Sequence, residues 1–109
     1  MYQFNNQTIS ADEEGYLKNR EEWRPEIAND IAKTENIELS ERHWVVIQFL
    51  RDYFAEYAMS PAIRIMVKAM KKKYGADAYP KAALYLLFPQ GPAKQATKIA
   101  GLPKPTGCI

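Results

Sequence analysis

The sequence predicts a small α+β domain, made of an N-terminal β-hairpin, a helical body and a C-terminal arm. Three observations carry that reading. Tyr2 and Phe4 alternate ahead of the turn-forming pair Asn5 and Asn6, and Thr8 and Ile9 follow, which is the grammar of a short hairpin. From Trp23 onward the apolar residues recur at helical spacing, in segments punctuated by Pro, Ser and Gly. The closing stretch "GLPKPTGCI" holds Pro103, Pro105, Gly101 and Gly107 and has no periodicity, so it reads as extended and semi-rigid.

Within the body, Pro25 suits a first helical position, and Ile27, Ala28 and Ile31 share a face in a helix running to about Glu35. Ser40 is a good N-cap for "ERHWVVIQFLRDYFAEYA", where Val46, Leu50, Phe54 and Tyr57 form a stripe that Trp44, Ile47 and Tyr53 widen. In "SPAIRIMVKAMKKKYG", Ser60 is placed to cap and Pro61 to open a third helix, with Ile63, Met66, Val67, Met70 and Tyr74 facing inward and Gly75 ending it. About two residues then separate the second and third helices, which are expected to pack at an angle. A shorter helix opens at Pro80 and ends before Pro89, and another opens at Pro92 and closes at Gly101. Eight residues past Gly101 can carry a group on the order of 25 Å from the last helix.

Composition narrows the function classes. With 109 residues, 47% hydrophobic and 26% charged, the chain suits one ordinary folded domain. Its longest apolar runs, such as "WVVIQFL", fall well short of the roughly 18 residues that span a bilayer, and "MYQFNNQTIS" has no secretory pattern, so no membrane association and a cytoplasmic location are expected. The net charge of +2 is weak for a nucleic-acid binder, but the distribution is polarised. After Glu56 the only acid is Asp77, whereas Lys68, Lys71, Lys72, Lys73, Lys81, Lys94, Lys98 and Lys104 all lie there.

The chemistry concentrates on one atom. Cys108 is the only cysteine, so no intramolecular disulfide can form, and in a reducing compartment it stays a free thiol. An incidental thiol in a chain end and a working one are both open on composition. The tail favours the second: Pro103 and Pro105 stiffen it, Gly101 and Gly107 supply bends, and Lys94, Lys98 and Lys104 favour a thiolate against the opposing terminal carboxylate. His43 is the only histidine and reads as a structural or surface residue; with one cysteine there is no zinc cluster, and no metal is expected. Met66 and Met70 read as core, and the run Lys71, Lys72, Lys73 as a solvated helix end. No phosphate loop, dinucleotide fingerprint, serine elbow or paired-carboxylate pattern is present, so neither a cofactor nor a stand-alone catalyst is expected.

"LFPQGPAKQATKIAGLPKPTGCI", residues 87–109, resembles the closing segment of the DsrC/TusE family, and "SPAIRIMVKAM" and "DEEGYLKNREEW" resemble its central and N-terminal segments. The resemblance spans essentially the whole chain. It implies a hairpin, a helical body with a helix-turn-helix-like arrangement (residues 1–100) and a mobile arm (residues 101–109). It also implies a sulfurtransferase in which Cys108 carries sulfane sulfur as a persulfide. The two-cysteine branch of the family has a second cysteine where this chain has Thr97. A single thiol cannot close an intramolecular disulfide, so the resemblance points to the one-cysteine branch. There, a TusBCD-type complex donates sulfur and an MnmA-type thiouridylase receives it for 2-thiouridine formation at the wobble position of tRNA, with or without direct tRNA contact. In that setting Gly101 is expected as hinge, Leu102 as a docking residue, and Lys94, Lys98 and Lys104 as steering charges. Two other readings stay open: a partner of sulfite reductase, which Thr97 argues against, and a helix-turn-helix nucleic-acid-binding module near Met59, Ser60 and Pro61.

Overall fold

The structure is a computed structural model that describes residues 2–4 and 7–105. Strands β1 (Tyr2–Phe4) and β2 (Gln7–Ile9) pair antiparallel with Tyr2 opposite Ile9, Gln3 opposite Thr8 and Phe4 opposite Gln7. The expected hairpin is present; its Asn5 and Asn6 connection lies outside the described residues. Tyr2 and Ile9, a cross-strand pair, both go into the core. A short 3₁₀ turn, Arg20–Glu22, follows, with the Asn19 carboxamide oxygen accepting from the Glu21 amide.

Five helices make the body: α1 (Pro25–Thr34), α2 (Glu41–Tyr57), α3 (Ile63–Tyr74), α4 (Lys81–Leu87) and α5 (Pro92–Ile99). Pro25 and Pro92 open α1 and α5 as expected, where a missing N–H costs nothing. Ser40 caps α2 reciprocally: its hydroxyl accepts from the His43 amide, and the His43 Nδ1 accepts from the Ser40 amide at 3.0 Å. The imidazole Nε2 then lies 2.8 Å from the Leu87 carbonyl and is its donor, so the single histidine ties the start of α2 to the end of α4. It is a structural residue, buried against the edge of Phe88.

Two expectations about the α2–α3 junction are corrected. Residues 58–62, five rather than about two, separate the helices, because α3 begins at Ile63 with Ala62 as its N-cap. Ser60 is not a cap: it is buried, and its hydroxyl donates to the Pro103 carbonyl at 2.6 Å. α2 ends instead on Ala58 in the left-handed region, φ 57°. The inward stripe of α3 also ends early. Met66 and Met70 are fully buried, but Tyr74 is surface-exposed and meets the Tyr79 ring, and at the end of α2 Tyr57 is exposed and meets Tyr53. The last turns of both helices overhang the core, so periodicity alone overstates their burial.

The core is organised around α5, which packs against α1, α2, α3 and α4. Six of its eight residues are buried, and half of these are small: Ala93, Ala96 and Thr97 let the surrounding helices approach the axis while Ile99 fills the interior. Around it lie Ile27, Ile31, Val46, Leu50, Met66, Met70, Leu84 and Phe88, all buried. Among the described residues no helix is long and apolar enough to cross a membrane.

The end of α5 is closed by a Schellman-type cap. The Gly101 amide donates to the Lys98 carbonyl at 3.1 Å and the Leu102 amide to the Thr97 carbonyl at 3.2 Å, with Gly101 at φ 73° and Leu102 buried behind it. A Cβ on Gly101 would collide with Cβ, Cγ and Cδ1 of Trp23. Gly101→Ala is therefore expected to destabilise the fold by on the order of 3 kcal/mol, from the left-handed backbone and the collision together. Denaturant unfolding checks this, with a change below about 0.5 kcal/mol contradicting the geometry.

Candidate functional site

The thiol expected to do the chemistry, Cys108, lies outside the described residues, so the site is built from what anchors the arm that carries it. Trp23 and Arg51 complete the cap of α5. The Trp23 indole N–H donates to the Ile99 carbonyl at 2.8 Å, and the Arg51 guanidinium donates to the Ala100 carbonyl at 2.6 Å while stacking 3.9 Å over the Trp23 ring. Burial pulls the Arg51 pKa below its ordinary value, yet the cation sits at the negative end of a helix, where it is favoured. Every carbonyl from Ala96 to Ala100 thus has a donor.

Beyond the cap, residues 101–105 run along the body. Leu102 and Pro105 are buried, Ser60 holds the Pro103 carbonyl, and the Lys104 ammonium meets the Glu14 carboxylate at 2.8 Å. That last pair is exposed and contributes at most about 1 kcal/mol. Leu102 docks against the body as expected, whereas Gly101, expected as a hinge, is in this geometry a fixed helix stop beneath Trp23. The 25 Å reach assumed a chain free from Gly101; with residues 101–105 against the body, the three residues from Pro105 to Cys108 span at most about 10 Å.

The three lysines expected to steer the arm separate into different roles. Lys104 pairs with Glu14, Lys98 pairs with Glu35 at 3.4 Å, and Lys94 is exposed. Both pairs join the basic C-terminal half to the acidic N-terminal half, so part of the charge polarity in the sequence is satisfied internally. A polar cleft of about 360 Å³ lies between these pairs, lined by Glu14, Tyr16, Glu35, Lys94, Gln95 and Lys98 among others. Sequence reasoning missed Gln95, whose buried amide accepts from the Gln90 amide at 3.0 Å and donates to Glu35 at 3.3 Å. It missed Trp23, Arg51 and Tyr16 as well. No local motif marks them; each acts on a partner at least 49 residues away in the chain.

Thr97, where the resemblance implies a second cysteine in the two-cysteine branch, is fully buried on α5 and its hydroxyl has no hydrogen-bond partner among the described residues. Among those residues there is also no group of three or more His, Cys, Asp or Glu placed to hold a metal ion.

Residues 3–109 match the family model described as DsrC like protein, and the chain belongs to this DsrC-like family. It is similar to the sulfurtransferase TusE of Photorhabdus laumondii, 54% identical over 109 residues, covering 100% of this chain and 98% of that protein. Against the sulfurtransferase TusE of Escherichia coli K12 the identity is 53% over 106 residues, with 97% of each covered. Among solved structures, the NMR structure of Allochromatium vinosum DsrC matches with a TM-score of 0.88 at 50% identity, over 98% of this chain and 96% of that one. The crystal structure of the oxidized gamma-subunit of dissimilatory sulfite reductase from Archaeoglobus fulgidus matches at 0.85 and 45%, over 99% and 98%.

Two consequences are measurable. Desolvation, then the nearby Glu14, Asp12 and Glu35 carboxylates, push the Tyr16 hydroxyl from 10.0 up to about 12. The folded state therefore holds this proton more tightly than the unfolded chain. The stability it contributes is whole below pH 10 and is lost as pH rises toward about 12, and Tyr16→Phe is expected to flatten that alkaline loss in unfolding curves. Thr97→Val keeps the shape and removes an unpartnered buried hydroxyl, so it is expected to be neutral or to stabilise by up to about 1 kcal/mol; a loss of more than about 1 kcal/mol in the same assay would show that the hydroxyl is satisfied.

Proposed function

We propose that this chain is a sulfur carrier whose working group is Cys108. The observation that carries the reading is the near-complete match, at 53–54% identity, to proteins named sulfurtransferase TusE, in a chain whose single cysteine is the penultimate residue. The Cys108 thiolate attacks the outer sulfur of a donor persulfide. The donor's S–S bond breaks, a new S–S bond forms on Cys108, and the donor leaves as a thiol. An acceptor cysteine then attacks the outer sulfur of the Cys108 persulfide and returns Cys108 to a thiol. Sulfur moves at constant overall oxidation level, so neither an oxidant nor a second thiol is needed.

In this reading the body, residues 1–100, is a holder and residues 101–109 are the arm that takes the thiol into partner clefts. The donor is a TusBCD-type complex, the acceptor an MnmA-type thiouridylase acting on tRNA, and the compartment the cytoplasm. The docked root sets the approach: with a reach of about 10 Å past Pro105, a partner has to come up against Pro103, Lys104 and Ser60, unless those contacts let go. The Lys104–Glu14 pair, exposed and weak, is the first to yield.

The match to the gamma-subunit of dissimilatory sulfite reductase from Archaeoglobus fulgidus favours a second reading, a partner of sulfite reductase. Thr97 counts against it, since a partner that relies on two thiols in one chain would have only Cys108 here. The experiment that tests the carrier reading is intact-protein mass spectrometry after incubation with a cysteine desulfurase, cysteine and a TusBCD-type donor. The wild-type chain is expected to gain the mass of one sulfur, removable by reductant, and Cys108→Ser to gain none while unfolding at the same temperature. Sulfur loading or onward transfer by Cys108→Ser would overturn the proposal.

A further inference from the structure

The C-terminal half of α2 and the facing stretch of α3 enclose an open groove of about 410 Å³. Its floor is aromatic: Phe49, Tyr53 and Tyr57 follow one another at one-turn spacing, with ring centroids 6.2 Å and 4.5 Å apart, and Ala69 of α3 keeps the opposite wall low. Tyr57 is 54% exposed, more than a core tyrosine would be. The two rims have opposite charge. Asp52 and Glu56 line the α2 side, one turn apart, and Lys72 and Lys73 line the α3 side.

We propose that this groove docks an amphipathic helix of a partner protein. The occupant presents apolar or aromatic anchors at i, i+3 or i+4, and i+7, basic residues along the edge that meets Asp52 and Glu56, and acidic residues along the edge that meets Lys72 and Lys73. Three rings spaced over two helical turns match about 12 Å of such a helix. The split rims make the choice of occupant. A nucleic-acid backbone on Lys72 and Lys73 would bring phosphates beside Asp52 and Glu56, a like-charge contact that weakens rather than steers binding. A second copy of this chain would have to fill one groove with another, and a concave surface is not complementary to itself across a two-fold axis. Opposite charges on the two rims also fix the direction in which the helix lies, because reversing it places like charges against each rim.

The groove ends at Tyr57, next to Met59 and Ser60, and Ser60 holds Pro103. A helix docked there is brought beside the root of the arm. Cys108 takes no part in this docking.

The test uses the full chain as bait for a displayed library of helical peptides. Enriched peptides are expected to carry the apolar spacing above with basic residues on one edge and acidic residues on the other. Their affinity is expected to fall at least about tenfold with Tyr53→Ala, and likewise with the exposed-rim pair Lys72→Glu and Lys73→Glu, while helix content stays unchanged. Cys108→Ser is expected to select the same peptides, which separates this proposal from the carrier reading. Failure to enrich any peptide, peptides indifferent to both rim and floor variants, a chain that sediments as a dimer broken by Tyr57→Ser, or tRNA binding lost with Lys72→Glu and Lys73→Glu would each overturn it.

Discussion

The rest of the molecule depends on how the last turn of α5 is closed. A helix end leaves carbonyls without partners, and here they lie at the edge of the core, where leaving them bare costs free energy. The backbone closes part of the end through Gly101 and Leu102, and Trp23 and Arg51 close the rest from the 3₁₀ turn and from α2. That arrangement demands a residue with no Cβ at 101 and a left-handed backbone there. It also sets the direction in which residues 102–105 run along the body. The stacked Arg51 and Trp23 are more than a packing contact, because each spends its polar group on a carbonyl that the Schellman cap does not reach.

The same closure reconciles a buried helix with the proposed chemistry, which needs exposure. α5 is nearly surrounded and carries small side chains so that four helices can pack on it, which makes it a poor place for a reactive group. Thiol exchange needs access and a share of thiolate more than it needs a shaped cavity. Under the carrier proposal, a rigid helix followed by a short docked segment, residues 101–105, meets both needs: the body stays intact, and Cys108, three residues past Pro105, is the group proposed to meet partners. The ion pairs of Lys98 with Glu35 and Lys104 with Glu14 hold the two charge-polarised halves of the sequence against each other near that exit.

Much of the fold was legible because it rests on local rules. The hairpin, the capping of α2 by Ser40, the opening of α1 and α5 by proline and the stop at Gly101 each follow from residues within a few positions of the element they define. The α2–α3 junction misled because Ser60 and Pro61 look like a cap and a first turn. The hydroxyl of Ser60 is instead taken by Pro103, 43 residues later in the chain. Tyr57 and Tyr74 misled because a stripe reports which face points inward, not where the core stops. For the candidate site, the expected thiol Cys108 lies outside the described residues, while the family resemblance was confirmed by the family model over residues 3–109. Trp23, Arg51 and the contact of Gln95 with Glu35 were not legible, since those partners are set by the fold alone and no spacing announces them.

The most direct test of the docked root is amide hydrogen exchange at Gly101 and Leu102, whose N–H groups close α5. Both are expected to exchange slowly, opening only with the unfolding of the helical body that contains Ile99 and Leu50. Exchange at the rate of an unstructured peptide would contradict the account: the arm would then leave the body at α5 itself, and the cap built by Trp23 and Arg51 would not set its direction.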